Sequence, residues 1–210
     1  MSPALPTVGV LDYGSGNLHS ACRALEAAGA RVILTATASR LAQTQGLVVP
    51  GVGAFGACMD ALRAVGGDDV IARAIASSKP VLGICVGHQI MFDRGVEHGI
   101  ESAGLGELPG TVEKLPAARL PHMGWNTLNG GGELPVLKDV GDQHFYFVHS
   151  YARLIAEPMP ADARVATCLH GDVEFVAAVQ WGSLTSTQVH PEKSGAAGAR
   201  LLRNWVGSSL

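Results

Sequence analysis

The sequence predicts an α/β fold: a mixed, mostly parallel central sheet with helices on both faces, extended by antiparallel strands in its second half. Three observations predict it. Between Thr7 and Cys85, short apolar runs alternate with amphipathic segments across short loops, the pattern of a parallel sheet covered on both sides. Further on, the runs 164–169 and 173–179 are separated by a turn containing Gly171-Asp172, a hairpin signal. No linker, repeat or low-complexity stretch divides the 210 residues, a length sufficient for one domain with a substantial core, so residues 1–210 read as a single domain.

The elements follow in order. Thr7–Leu11 is an apolar strand leading into Asp12-Tyr13-Gly14-Ser15-Gly16-Asn17. Asn17 can cap a helix whose positions Leu18, Ala21, Cys22, Leu25 and Ala28 keep the 3.6-residue period, and Gly29 suits its C′ position. Arg31–Thr35 and Gly46–Val49 are the next strands, the latter running into Pro50-Gly51-Val52-Gly53-Ala54-Phe55-Gly56. Amphipathic segments at 57–65 and 68–77 precede the strand Pro80–Ile84, and Val86–Phe92 carries apolar residues at helical spacing. Gly and Pro crowd residues 99–132. His144–Val148, 164–169, 173–179 and 186–189 read as strands extending the sheet, and 195–206 as a helix with Leu201, Leu202 and Trp205 facing inward. Sites in such folds lie beyond the carboxyl ends of the strands, which puts the 12–17 loop, the 50–56 loop and Cys85 on one side. The 12–17 loop has the glycines of a phosphate loop but neither the G-x-G-x-x-G spacing nor a P-loop lysine; it reads as a surface loop that contacts a partner.

Composition narrows the classes. The chain is 47% hydrophobic and only 16% charged, so either the core is large or a partner covers apolar surface. A net charge of −3 without a basic cluster argues against nucleic acid. No apolar run approaches membrane-spanning length, and MSPALPTVGV has neither the basic nor the apolar region of a secretory leader. Cys22, Cys58, Cys85 and Cys168 form no C-x-x-C pair, which disfavours a zinc or disulfide framework and suits a reducing cytoplasm.

The chemistry centres on Gly83-Ile84-Cys85-Val86-Gly87, the G-x-nucleophile-x-G pattern of a strand-to-helix elbow. A tight turn there leaves no room for a Cβ at the flanking positions, and a thiol at a helix N-terminus is favoured as thiolate. The competing reading is a buried core Cys in a Gly-rich turn. Downstream lies Gln188-Val189-His190-Pro191-Glu192-Lys193-Ser194. If that stretch stays extended, side chains two apart share a direction, and Pro191 biases His190 away from helix. Glu192 can then hold one nitrogen of His190 and leave the other for Cys85, which supplies nucleophile, base and orienting acid. An H-x-E taken by itself reads equally as a solvated loop; the elbow Cys favours the triad. Of the other histidines, His88 packs or lies at the pocket rim, His98, His144 and His170 are surface or strand residues, and His149 lines the site.

GICVGHQ, PGVGAFG and QVHPEKS together resemble the triad (class I) glutamine amidotransferases. LDYGSGNLHSA, PHMGWN and FYFVHSY narrow the resemblance to the glutaminase subunits of imidazole glycerol phosphate synthases, of histidine biosynthesis. The likeness spans the whole chain and implies a flavodoxin-like fold. It also implies that Cys85 attacks the side-chain amide of glutamine, His190 moves the proton, and Glu192 orients His190. Val86 N–H and a backbone N–H of the 50–56 loop, at Val52 or Gly53, would hold the oxyanion, and Gln89, Ser150 and Tyr151 the substrate. Gly51 and Gly53 bracket Val52, so the Val52 N–H is expected to be switchable by peptide rotation. The partner implied is a cyclase subunit with a (β/α)8 barrel, in a heterodimer, faced by Asn17, Met123 and Trp125; no metal and no cofactor is implied. His88 departs from the family, which often carries Met there. Three other readings stay open: a glutaminase for another synthase, of the pyridoxal phosphate or anthranilate type, a non-catalytic binding subunit of the same fold, and a free-standing thiol hydrolase.

Overall fold

In the computed structural model the described residues are 4–15, 17–156 and 158–210. In chain order the elements are β1 (Thr7–Leu11), α1 (Leu18–Ala27), β2 (Arg31–Thr35), α2 (Ala38–Ala42), β3 (Gly46–Gly51), α3 (Phe55–Ala64), α4 (Gly67–Ala76), β4 (Val81–Cys85), α5 (Val86–Gln89), β5 (Phe92–Glu97), β6 (Ile100–Ala103), β7 (Leu108–Lys114), β8 (His122–Asn126), β9 (Phe145–His149), β10 (Tyr151–Arg153), β11 (Arg164–His170), β12 (Val173–Trp181), β13 (Leu184–Thr187) and α6 (Gly195–Ser209).

The central sheet has the order β11-β12-β13-β4-β3-β1-β2. Its strands β2, β1, β3, β4 and β13 are parallel, and β12 and β11 add on antiparallel. Parallel pairing brings the carboxyl ends to one edge: Gly51 is level with Cys85, and Thr187 with Ile84. Every residue of β3 and β4 is buried, as strands covered on both faces require. In α1 the residues Leu18, Ala21 and Leu25 face the core, and Gly29 takes φ +100° just beyond the helix. In α6 Leu201, Leu202 and Trp205 are buried as expected.

Three expectations need correction, and one sheet was not foreseen. Asn17 makes no side-chain cap to the helix backbone; its carboxamide oxygen accepts the Ser20 hydroxyl at 2.7 Å instead, because the neighbouring hydroxyl competes for the same acceptor. The helix after Cys85 stops at Gln89, and Phe92 already opens β5. The strand 145–149 does not extend the central sheet; it pairs with β8, His122 opposite His149. Within the Gly- and Pro-rich stretch, β6 and β7 join β5 and β10 in a second sheet of order β10-β7-β5-β6. β6 is mostly exposed and β7 alternates buried with half-buried residues, so no sustained apolar run marked them.

Candidate active site

The elbow is held by close backbone contact. Cys85 has φ +56°, a conformation that L residues rarely adopt. A Cβ on Gly87 would stand 1.8 Å from the Val49 carbonyl oxygen, and one on Gly83 2.6 Å from that of Gly87. Glycine is therefore required on both sides of the nucleophile position. The turn leaves Cys85 at the first helical amides of α5, which have no intrahelical acceptor.

His190 and Cys85 line the same cavity, close enough for the sulfur to raise the pKa of the ring, and His190 Nδ1 is 2.8 Å from Glu192 Oε1. The route to this pairing differs from the expected extended chain. His190 itself is extended, but Pro191–Lys193 forms a 3-10 turn that swings Glu192 back onto the ring. Three bonds lock the backbone here. The His190 N–H donates to the Tyr146 carbonyl at 3.0 Å, Ser194 Oγ donates to the His190 carbonyl at 2.7 Å, and the Tyr146 N–H donates to Ser194 Oγ at 2.9 Å. Burial pushes the His190 imidazolium down, but the Cys85 sulfur and the Glu192 carboxylate outweigh it and hold the ring at about 9. Both members of the His190–Glu192 pair are nearly inaccessible.

A cavity of about 310 Å³ opens over the sulfur. Cys85, Val86, His190, Gln89, Ser150 and Tyr151 line it, with Val52 and Gly53 from the 50–56 loop; Glu192 stands behind His190. The Gln89 amide nitrogen is committed to the Tyr151 carbonyl (2.8 Å) and Gln188 Oε1 (3.0 Å). The Val52 N–H does not face the sulfur: it donates to Ser15 Oγ at 2.9 Å, and the Val52 carbonyl accepts from Ser15 Oγ and Cys58 Sγ, each at 3.2 Å. Since N–H and C=O of a trans peptide point oppositely, the Gly53 N–H is directed away from Ser15 and Cys58.

His149 lines the cavity and is buried. His88 is fully buried and off the cavity: it packs edge-on to Phe92, its Nδ1 is 2.8 Å from Ser186 Oγ, and burial lowers its pKa to about 3. His98 and His144 are exposed, and His170 stacks on His122. Asn17 is exposed at the rim beyond β1. Met123 and Trp125, on alternate residues of β8, are 65% and 56% exposed, a pair of large apolar side chains that the described residues leave mostly uncovered, Trp125 meeting Tyr146 edge-on. Sequence reasoning missed Glu97 and Lys193, which also line the cavity, and Gln188, whose amide reaches Cys85. The register could have found Gln188, for two residues before His190 on an extended segment is the same side of the chain. Among the described residues no group of three or more His, Cys, Asp or Glu is arranged to hold a metal ion. No helix among them is long and apolar enough to cross a membrane.

The sequence model of the family "Glutamine amidotransferase class-I" matches residues 9–207. The chain belongs to the class-I glutamine amidotransferases. This amidotransferase is 55% identical over 204 residues to the imidazole glycerol phosphate synthase subunit HisH of Leifsonia xyli subsp. xyli, with 95% of this chain and 97% of that protein covered. It is also 55% identical over 207 residues to the subunit of the same name from Nocardia farcinica, covering 96% and 98%. A solved structure titled "Crystal structure of glutamine amidotransferase" superposes with a TM-score of 0.74 over 96% of this chain and 98% of that one, at 21% identity. That likeness is one of fold, and the mixed, mostly parallel sheet is the shared architecture.

Proposed function

We propose that the chain is the glutaminase subunit of an imidazole glycerol phosphate synthase, acting in histidine biosynthesis. The observation that carries the reading is the Cys85–His190–Glu192 constellation at the elbow of a class-I amidotransferase whose curated relatives, 55% identical, are named as that subunit. The whole chain acts as one amidotransferase domain, in the cytoplasm.

Cys85 Sγ attacks the side-chain amide carbon of glutamine. His190, which carries the thiol proton, passes it to the departing nitrogen, so that ammonia leaves and a glutamyl thioester remains. Water that gives a proton to the then neutral His190 opens the thioester, releases glutamate and restores the Cys85 thiolate beside protonated His190. Glu192 keeps the ring oriented and offsets its positive charge. Val86 N–H serves one side of the oxyanion. A 50–56 loop amide serves the other, either Gly53 N–H or Val52 N–H after rotation away from Ser15. Gln89, Ser150 and Tyr151 hold the substrate in the 310 Å³ cavity. Ammonia passes to a cyclase partner, a (β/α)8 barrel in a heterodimer. That partner forms imidazole glycerol phosphate and an aminoimidazole carboxamide ribotide, and it docks over Asn17, Met123 and Trp125. The exposed Met123–Trp125 pair supports this placement, since apolar surface of that size favours burial.

Cys85→Ala tests the reading. The variant should retain fold and partner binding and lose glutamine hydrolysis, while its complex still makes product from ammonia added at raised pH. Glutamine turnover that survives the substitution would sink the triad.

A further inference from the structure

We propose that the side-chain amide of Gln188 is a second hydrogen-bond donor to the Cys85 sulfur, a catalytic residue that holds the nucleophile as thiolate beside His190. The inference rests on Cys85 being the nucleophile of the proposed reaction. Gln188 follows β13, whose parallel register sets Thr187 level with Ile84, so the next residue on each strand stands side by side. Its backbone N–H is anchored to the Ala177 carbonyl at 2.8 Å, and its side chain is completely buried. Gln188 Nε2 lies 3.8 Å from Cys85 Sγ, and Oε1 accepts from Gln89 Nε2 at 3.0 Å.

An amide can be turned either way without changing shape, so its orientation must follow from its partners. Here they leave one choice. The Tyr151 carbonyl can only accept, so Gln89 must present its NH₂ to it, at 2.8 Å. The second hydrogen of that NH₂ meets Gln188, which therefore presents its oxygen to Gln89 and its NH₂ to the sulfur. The Tyr151 carbonyl is itself held by a second donor, His149 Nδ1 at 3.0 Å. That assignment makes His149 Nε2 the acceptor of His122 Nδ1 at 3.1 Å. His122 Nε2 then accepts from Asn126 Nδ2 at 3.3 Å, and Asn126 also donates to the Leu169 carbonyl at 2.9 Å. Two runs of donors thus converge on the Tyr151 carbonyl, one from β8 through His122 and His149 and one from Gln89, and only the second continues through Gln188 to the sulfur. Protonating His149 would set two N–H groups against each other at the His122–His149 contact, and protonating His122 would set its Nε2–H against the Asn126 NH₂. Burial, with the other histidines nearby, keeps both rings neutral, at about 4 for His122 and about 3 for His149.

A buried NH₂ that faces sulfur gains most when the sulfur is charged, because a hydrogen bond to an ion is about twice as strong as one between neutral groups. The contact therefore favours thiolate in the resting enzyme and weakens once the sulfur becomes a thioester. Gln89 is a positioning residue that acts through Gln188.

The test reads the sulfur directly. The pH profile of iodoacetamide alkylation at Cys85, followed by peptide mass in the intact protein, is compared with Gln188→Met, which keeps length and removes the donor. The expected result is an upward shift of the midpoint, with alkylation about tenfold slower on the acid side, the size of losing one hydrogen bond to a charged group, and an unchanged alkaline plateau. Gln188→Glu should shift the midpoint further upward, since a carboxylate then opposes the thiolate. Should neither variant fold, the unsubstituted protein decides: the Gln188 side-chain amide protons should titrate with the midpoint of alkylation. A variant profile superimposed on the wild-type one, or amide protons that do not titrate, would overturn the proposal. Protein alkylated at Cys85 that still hydrolyses glutamine would instead overturn the functional reading, leaving the contact to be judged by the titration.

Discussion

Replacing Glu192 by Gln isolates the charge of the orienting residue from its shape. In the wild-type chain His190 is held at about 9 against an ordinary value of 6.5, a difference worth about 3 kcal/mol. Burial opposes that rise, while the Cys85 sulfur and Glu192 produce it. The Glu192 Oε1–His190 Nδ1 distance is 2.8 Å with both groups shielded from water, so the carboxylate's share is large. The amide oxygen of Gln can still accept from Nδ1–H and keep the tautomer, but without the charge the midpoint of His190 should fall by about 1–2 units, the range for removing an adjacent opposite charge. Because the folded value is raised, the proton on His190 stabilises the fold. That contribution is complete below pH 6.5 and is lost as pH rises from 6.5 through about 9. The variant should therefore show its stability deficit below pH 6.5 and converge on the wild type in alkaline buffer. Glutamine kcat/KM should drop about 10- to 100-fold, as for a lost bond to a charged group, and less than in His190→Ala. Imidazole NMR titration, urea melts across pH 5.5–9.5 on the scale of that linkage, and glutamate release with the partner present measure the three effects. An unmoved His190 midpoint, or a Glu192→Gln enzyme worse than His190→Ala, would refute the reasoning.

Two further outcomes are expected. His88, His122 and His149 are held at about 3, 4 and 3 by burial, so below pH 6.5 the unfolded chain binds protons that the fold refuses. Stability should fall on acidification, approaching about 4 kcal/mol per pH unit near pH 5; urea midpoints that stay level from pH 7 to pH 5 would contradict it. Ser15→Ala removes the hydroxyl that engages both the N–H and the carbonyl of Val52. It should raise glutamine hydrolysis by the isolated chain about fivefold, the worth of one ordinary hydrogen bond, and a further Val52→Pro should cancel the gain. No rise in Ser15→Ala, with the fold intact, would place the second oxyanion donor elsewhere than Val52.

Local chemistry made much of this protein legible before any coordinates. Gly83 and Gly87 around Cys85 have one steric explanation, and the Gly87 position leaves 1.8 Å for a Cβ. The alternation of β1, α1, β2 and β3 was readable because buried parallel strands are continuous apolar runs. His190 and Glu192 were identified from a two-residue spacing, yet the contact is made by a 3-10 turn at Pro191, since several backbone paths bring neighbours in sequence together. What depends on distant segments was hidden. β13 is Leu-Thr-Ser-Thr, polar but wholly buried, because its hydroxyls find partners across the sheet, such as Thr187 Oγ1 on the Ala177 carbonyl. The separate β8–β9 ribbon and the second sheet depend on which strands meet, and pairing energy is spread over residues far apart in sequence. The Ser15 hydroxyl on Val52 joins residues 37 apart, and the Gln188 amide reaches Cys85 across 103. Residue type at Cys85, His190 and Glu192 pointed to covalent acyl chemistry, and the resemblance of the surrounding motifs pointed to glutamine. Which peptide faces the sulfur, and which way each buried amide turns, was decided only when the parallel register brought the strand ends together and every donor had to find an acceptor.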